Sequence, residues 1–104
     1  MIRVASAYDQ EKDSEQEKSF KRIASAIAKY WICKRAPMAV AEALECMGGN
    51  GYVESGPMPR LFRESPLLSI WEGSGNVICL DVIRAAAREP GTLEAFIAEL
   101  EVSK

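Results

Sequence analysis

The chain has 104 residues, of which 13 are Lys or Arg and 15 are Asp or Glu, so its formal net charge is −2. This is the length of one compact domain, and 48% hydrophobic residues is typical of a folded rather than a disordered chain. Histidine is absent, which excludes histidine-based metal sites, Ser-His and Cys-His nucleophile pairs, and the side chain that most often transfers protons near neutral pH. Any acid–base chemistry must therefore use carboxylates, Lys, Tyr or Cys.

The first twelve residues carry apolar side chains at helical spacing and predict a short amphipathic helix. An acidic stretch follows from Asp9 to Glu17 and suggests a calcium-binding loop. A loop that starts at Asp9 would need Gly at Ser14 and a bidentate Glu at Phe20, so we reject calcium binding.

A helix start explains the acidic stretch better. Ser14 and Glu17 form a capping box, in which the Ser14 hydroxyl accepts from the Glu17 amide and the Glu17 side chain reaches back to Ser14. The apolar pattern then predicts a long helix from about Ser14 to Met47, buried on two sides. Pro37 predicts a kink or a short break within it.

Glycines end the long helix and divide the rest of the chain. The run from Gly48 to Gly51 begins a Gly/Pro-rich connection through Pro59, which leads into a short helical or irregular segment around residues 65–71. A second glycine break covers residues 73–75. Ser74 is a candidate N-cap for a helix that is apolar nearly all round, which predicts that this helix is buried.

Pro90 and Gly91 stop that helix, and Thr92 is expected to cap a last one. The last helix places four apolar residues at i, i+3, i+4 and i+7: Leu93, Phe96, Ile97 and Leu100. No alternating strand pattern occurs. The sequence therefore predicts an all-α fold, an antiparallel helix bundle, formed by residues 1–104 as a single helical domain.

Three cysteines, Cys33, Cys46 and Cys79, occur without a CxxC pair, so neither a zinc cluster nor a redox dithiol is predicted. Their apolar surroundings favour buried free thiols, which indicates a reducing compartment. There is no signal-peptide pattern at the N-terminus and no apolar run long enough to span a membrane. We expect a soluble, cytoplasmic protein.

The two glycine clusters do not match nucleotide-binding motifs. A GxGxxG motif would need glycine at Glu54 for the first cluster and at Ile78 for the second, and neither cluster follows a strand. Judged locally, these glycines end helices. Glu72 is more unusual, since it lies between Trp71 and Gly73 just before a predicted helix N-terminus. It is either a surface charge of a loop or a base at a place that ligands can approach closely.

Six cations lie between residues 18 and 41, where no acidic residue occurs: Lys18, Lys21, Arg22, Lys29, Lys34 and Arg35. Such a basic face can bind phosphates, including those of nucleic acid. The alternative is that these cations solvate the outer side of a long helix or meet acidic neighbours in an oligomer.

Residues 41–84, AEALECMGGNGYVESGPMPRLFRESPLLSIWEGSGNVICLDVIR, resemble the C-terminal helical domain of the acyl-CoA dehydrogenase family. The shared motifs are GGxGY, then Arg-Leu-aromatic-Arg, then aromatic-Glu-Gly. Ile32-Cys33-Lys34-Arg35 and the sequence WEGSGN are most similar to the adaptive-response, alkylation-protection (AidB-type) branch.

The resemblance implies a flavoenzyme that uses FAD to oxidise acyl-CoA thioesters, with Glu72 as the base that removes the α-proton. It implies that Gly48 and Gly49 approach the ADP part of a flavin held by a neighbouring subunit, in a homo-oligomer. Trp71 and Gly73 match positions beside the acyl chain and the flavin. The helix start that faces the cofactor comprises Ser74, Gly75 and Asn76. Arg60 and Arg63 match a structural pair.

The sequence departs from the family in three ways. Trp71 and Ser74 replace the Tyr and Thr of many members, and Glu45 replaces a Gln near the flavin pyrophosphate. The family's N-terminal helical and middle β-domains have no counterpart in 104 residues. We therefore expect a C-terminal fragment that lacks flavin and activity alone. The alternatives are a non-catalytic, DNA-associated domain of an alkylation-response protein and an oligomerisation module.

Overall fold

A computed structural model describes residues 2–102, and every regular element in that range is helical. The elements are α1 (Ile2–Gln10), α2 (Glu15–Cys46), α3 (Gly49–Tyr52), α4 (Met58–Glu64), a 3₁₀ segment (Ser65–Ser69), α5 (Gly75–Arg88) and α6 (Thr92–Val102). The all-α prediction is confirmed. The contacts divide the chain into two compact units: one contains residues up to 28 and from 76 onward, and the other contains residues 29–75.

The first unit has a small core in which α1, α2 and α6 meet. Its buried members are Ala7, Phe20, Ala24 and Ala95, against which Val4 and Phe96 pack. The Phe20 and Phe96 rings are stacked with their centroids 6.3 Å apart. Ile23 is also buried, as the apolar stripe on α2 predicts.

Ion pairs bind the helices of this unit to one another. The Arg3 guanidinium pairs with Glu17 and Glu99 at 2.8 Å each, and hydrogen bonds to these carboxylates raise its pKa. Arg22 pairs with Asp81 at 2.9 Å and Glu89 at 3.0 Å. The Asp81 hydrogen bond raises the pKa of Arg22, while the Arg22 hydrogen bond lowers the pKa of Asp81.

These pairs bear on the basic stretch of α2. In addition to Arg22, Lys21 pairs with Glu11, and Lys18 pairs with Glu15 at 3.3 Å. Three of the six cations, Lys18, Lys21 and Arg22, thus meet acidic neighbours within the chain itself. This arrangement favours the structural interpretation of the basic stretch over phosphate binding.

Helix α2 begins and ends within one residue of its predicted limits. The Glu17 amide donates to the Ser14 hydroxyl at 3.3 Å, which confirms one half of the capping box. The Glu17 carboxylate, however, accepts two hydrogen bonds from Arg3, because a charged partner on α1 binds it more strongly than a backbone amide does. The alternative of a break at Pro37 was wrong, since α2 continues through it.

Helix α5 was correctly predicted, but the prediction that it is buried nearly all round was wrong. Ile78 and Ala85 are buried, whereas Val77, Leu80 and Ile83 are 56–63% exposed. An apolar pattern shows which faces of a helix are hydrophobic, but such a face is buried only where another element covers it. The apolar stripe of α6 is likewise half exposed at Leu93, Ile97 and Leu100.

Thr92 begins α6 as predicted, but its side chain serves the preceding helix. Its hydroxyl is buried and points to two backbone carbonyl oxygens near the end of α5, those of Ala85 at 3.0 Å and Glu89 at 2.9 Å. The capping prediction was therefore wrong in its direction. The hydroxyl donates to the Ala85 and Glu89 carbonyls at the C-terminal end of α5, which also accept from the backbone amides of Glu89 and Thr92.

The second unit corrects the predicted Gly/Pro-rich connection. Residues 49–52 form the single helical turn α3, and α4 already starts at Met58, before the predicted end of the connection. Gly51 is buried, and the Leu44 carbonyl and Met47 Cβ lie against it. Close packing on the end of α2 explains why this stretch coils into a helix instead of remaining irregular.

The prediction of buried thiols was wrong for Cys46 and Cys79, which are exposed on their helices, while Cys33 is half-buried; all three are free. Both exposed thiols lie on helix faces without a covering element, which local sequence cannot reveal. None of the helices within residues 2–102 is long and apolar enough to cross a membrane.

Candidate active site

Glu72 lies in a tight turn between the 3₁₀ segment and α5. The turn begins where the amides of Ile70 and Trp71 donate to the Leu67 carbonyl, at 2.9 and 3.1 Å. Glu72 then adopts a φ of 53°, the single positive φ of a non-glycine residue in the described chain, and Gly73 follows with a φ of 103°. A left-handed conformation costs a residue with a Cβ roughly 1–2 kcal/mol, so other interactions must hold this turn.

Lys29 on α2 supplies those interactions. Its Nζ donates to the carbonyl oxygens of Trp71 and Gly73, at 2.8 Å each. The two carbonyls flank Glu72, so both can face one ammonium only if the backbone between them is curled. This role could not be predicted from the sequence, because Lys29 is 42 residues from Trp71 and does not differ in the sequence from the other cations of the basic stretch.

The Glu72 side chain is exposed, and Trp71 beside it is 52% exposed. The geometry is compatible with both sequence hypotheses, a loop charge and an approachable base. The hydrogen bonds from Lys29 hold the backbone of the turn that carries the carboxylate. A carboxylate that is accessible and held on an ordered turn can accept a proton from a molecule that docks on it.

The residues after the turn divide by burial. Ser74 and Asn76 are exposed, whereas Gly75, the first residue of α5, is buried. A Cβ at Gly75 would lie 2.7 Å from Cε of Lys34 and 3.3 Å from Cε2 of Tyr30. Gly75 therefore lets the turn pack directly on α2, next to the Lys29 contact.

The other glycine cluster differs in its surroundings. Gly48 has a φ of 56°, and neither Gly48 nor Gly49 has an atom within 4 Å of the position that a Cβ would occupy. Both are exposed. The backbone here lies open to solvent, which is the arrangement that permits close approach of a ligand.

A cleft of about 670 Å³ lies beside this open backbone, between the end of α2, α3 and α4. It is lined by Ala41, Leu44, Glu45, Tyr52, Val53, Glu54, Pro59, Phe62 and Arg63. Arg63 binds both carboxylate oxygens of Glu54, at 2.6 and 3.1 Å, and thereby lowers the pKa of Glu54. Arg60 pairs with Glu64 at 2.8 Å. Both arginines are thus engaged in ion pairs within their own unit.

The predicted site residues lie in two separate places on the unit formed by residues 29–75. Trp71, Gly73 and Gly75 pack against the part of α2 near Lys29, and Gly48 and Gly49 follow its C-terminus. At 1.5 Å of rise per residue, Lys29 and Leu44 are roughly 20 Å apart along the helix. The two places are too distant to hold one small group together. Within residues 2–102, no three His, Cys, Asp or Glu side chains are grouped so that they could hold a metal ion.

Comparison with known proteins identifies the domain. The family model described as "Acyl-CoA dehydrogenase, C-terminal domain" matches residues 1–87. The chain belongs to the acyl-CoA dehydrogenase family. It is 46% identical over 101 residues to AidB of Escherichia coli (strain K12), covering 93% of this chain, which supports the AidB-type branch. It is also 37% identical over 90 residues, 86% of this chain, to acyl-CoA dehydrogenase family member 11 of Caenorhabditis elegans.

Solved structures agree with this assignment. The crystal structure of Caenorhabditis elegans ACDH-11 in complex with C11-CoA superposes with a TM-score of 0.82 and 33% identity, covering 95% of this chain. The apo form of Bd2924 gives a TM-score of 0.78 and 37% identity over 91% of this chain. The chain spans only 18% of AidB and 15% of the nematode family member 11, and 17% and 20% of the two solved chains.

Proposed function

We propose that this chain is the C-terminal domain of an FAD-dependent acyl-CoA dehydrogenase-like oxidoreductase, in which Glu72 is the general base. The observation that carries the proposal is the turn at Glu72. An exposed carboxylate sits on a backbone curled to a φ of 53°, and Lys29 binds the carbonyls on both sides of it. The aromatic-Glu-Gly motif of the family falls on this turn.

The proposed reaction requires one catalytic group from this domain, a base. The Glu72 carboxylate removes a proton from the carbon α to a thioester carbonyl and becomes a neutral carboxylic acid. The electron pair of that C–H bond forms the double bond to the β-carbon. FAD, when bound, supplies the acceptor for the hydride that leaves the β-carbon. Because the thioester acidifies the α-proton, a single well-placed carboxylate suffices and no histidine is required.

The residues present fit a flavin that this domain touches with its backbone. Gly48 and Gly49 are exposed, and a Cβ at either would occupy empty space into which a phosphate-bearing cofactor could come. We assign these two glycines to the ADP part of an FAD that is held by a neighbouring subunit. The flavin side of the contact then comprises Trp71, Gly73, Ser74, Gly75 and Asn76.

We assign the acyl-CoA thioester to the Glu72 turn, with Trp71 and Gly73 as its neighbours. The similarity to ACDH-11, whose structure contains C11-CoA, supports this substrate class. Trp71 is a large side chain at the rim of the turn, and its bulk would restrict the width of the acyl site. We expect its replacement by a smaller aromatic residue to widen the range of acyl groups accepted.

The isolated domain is proposed to be inactive and free of flavin, since most contacts to cofactor and substrate would come from elsewhere in a larger chain. We also propose that it assembles into a homo-oligomer in the cytoplasm. The supporting observation is the exposed apolar surface of α5, where Val77, Leu80 and Ile83 lie open to solvent. An apolar surface of this kind is typical of a protein–protein interface.

The decisive variant is Glu72→Gln in a flavoprotein that contains this chain together with the other domains of the family. Mixed anaerobically with acyl-CoA, the unsubstituted protein should lose the visible absorbance of oxidised flavin, and the variant should retain it. Glu42→Gln is the matched control, because Glu42 is an exposed carboxylate on α2 of the same unit. Flavin reduction at the unsubstituted rate in Glu72→Gln would refute the proposal.

A further inference from the structure

The position of the Glu72 carboxylate depends on a side chain that lies outside the family motifs. We propose that Lys29 is a positioning residue for Glu72: its ammonium locks the backbone of the turn and so fixes where the carboxylate stands. The inference rests on the proposed function for the chemical role of Glu72. The locking of the turn itself is a property of this chain alone.

The contacts of Lys29 are unusual for a cation on a helix. An ammonium has three donors, and two of them bind the carbonyl oxygens of Trp71 and Gly73 at 2.8 Å. By contrast, Lys18 and Lys21 on the same helix bind carboxylates. Charge-assisted hydrogen bonds of this length are stronger than neutral ones. The two bonds from Lys29 go to the residues on either side of Glu72.

The conformation of the turn shows why such a lock is needed. Glu72 has a φ of 53° although it carries a Cβ, and Gly73 follows at 103°. Without an external partner, Glu72 would relax toward negative φ, and its carboxylate would swing away from its present direction. Lys29 opposes this relaxation, because relaxing the turn would separate its two carbonyl acceptors. The neighbouring contact of Gly75 with Tyr30 and Lys34 seats the turn on α2 but does not reach Glu72.

Reaction rate is sensitive to such positioning. A base displaced by about 1 Å from its reacting proton loses up to a hundredfold in rate, whereas substrate binding through other contacts is unaffected. Lys29→Met keeps an apolar stem that extends as far as Cε and removes the ammonium group with its donors. We expect it to lower kcat by about tenfold with little change in KM. Lys29→Arg, which retains the charge and the donors, should recover most of the rate.

The first arm of the test uses the 104-residue chain and no cofactor. A protease that cleaves after glutamate is added, and mass spectrometry follows cleavage after Glu72, with cleavage after the exposed Glu54 as the internal reference. Cleavage requires local opening of the turn, so Lys29→Met should accelerate it about tenfold relative to Glu54. Lys18→Met, on the same helix, should leave the ratio unchanged. Thermal melts of each variant show whether the fold is intact.

The second arm measures kcat and KM in the flavoprotein that contains this chain, for Lys29→Met, Lys29→Arg and Glu72→Gln. Accelerated cleavage with a lowered kcat, both restored in Lys29→Arg, supports the proposal. Unchanged cleavage after Glu72 in Lys29→Met overturns the lock. Accelerated cleavage with an unchanged kcat overturns the positioning role while Glu72 remains the base. Full activity of Glu72→Gln would instead refute the proposed function, and the positioning role with it.

Discussion

Gly51 and Gly49 lie two residues apart in α3, and the structure predicts opposite effects for the same substitution. A Cβ at Gly51 would overlap the Leu44 backbone carbonyl and lie 3.1 Å from Cβ of Met47. A Cβ at Gly49 would have no atom within 4 Å. Both glycines lack the positive φ that makes alanine strained, so the space around them decides the outcome.

The magnitude follows from two opposing terms. Overpacking against atoms that cannot move costs about 1–3 kcal/mol, and here the obstacle is backbone rather than a flexible side chain. Alanine gains up to about 1 kcal/mol over glycine in a helix. Gly51→Ala should therefore lose about 1–2 kcal/mol of stability, and Gly49→Ala should be neutral or slightly stabilising. For a chain of this size, such a loss lowers Tm by roughly 5–10 °C.

Tryptophan fluorescence is the suitable assay, because both tryptophans, Trp31 and Trp71, belong to the same compact unit as α3. Thermal melts of the two alanine variants are compared with the unsubstituted chain. A Gly51→Ala variant that melts at or above the original temperature would refute the packing argument. Equal destabilisation by both substitutions would also refute it, since only Gly51 is confined.

Two further predictions concern the first unit. A hydrogen bond from Arg22 lowers the pKa of Asp81 below its ordinary value. The pair therefore stabilises the fold above about pH 4, and this stabilisation is lost as the pH falls through the lowered pKa. Asp81→Asn should accordingly lower Tm at neutral pH and make no difference in strong acid; a gap in Tm that stays constant with pH would contradict this. Thr92→Val removes a buried hydroxyl that donates to carbonyls at the end of α5 and should lower Tm by roughly 4–8 °C. Thr92→Ser keeps the hydroxyl, and its Tm should stay within a few degrees of that of the unsubstituted chain. Equal Tm values for the Val and Ser variants would show that these hydrogen bonds do not stabilise the fold.

The helices were predictable from the sequence because their signals are local. The capping serine at Ser14 and the glycines after Met47 mark the limits of α2, and the observed helix, Glu15–Cys46, differs by one residue at each end. The motif residues of the candidate site were also readable, since Glu72 and its glycines are contiguous. The apolar periodicity of α5 likewise gave its existence and extent.

Burial and side-chain partners were not predictable, because both depend on residues distant in the sequence. Leu80 and Ile83 are apolar yet exposed, since periodicity does not tell whether another element covers a face. Thr92 was expected to accept hydrogen bonds from its own helix but points to carbonyls of α5. Lys29 shows the limit most clearly, because its contact with the turn appears only when α2 and the turn are placed side by side.

Exchange of the substrate α-proton tests directly whether Glu72 is the base, without involving hydride transfer. Acyl-CoA is incubated in D₂O with the flavoprotein that contains this chain, and deuterium at the α-carbon is followed by mass spectrometry. We expect incorporation with the unsubstituted protein and none above background with Glu72→Gln. Deuterium incorporation at an undiminished rate in Glu72→Gln would contradict it.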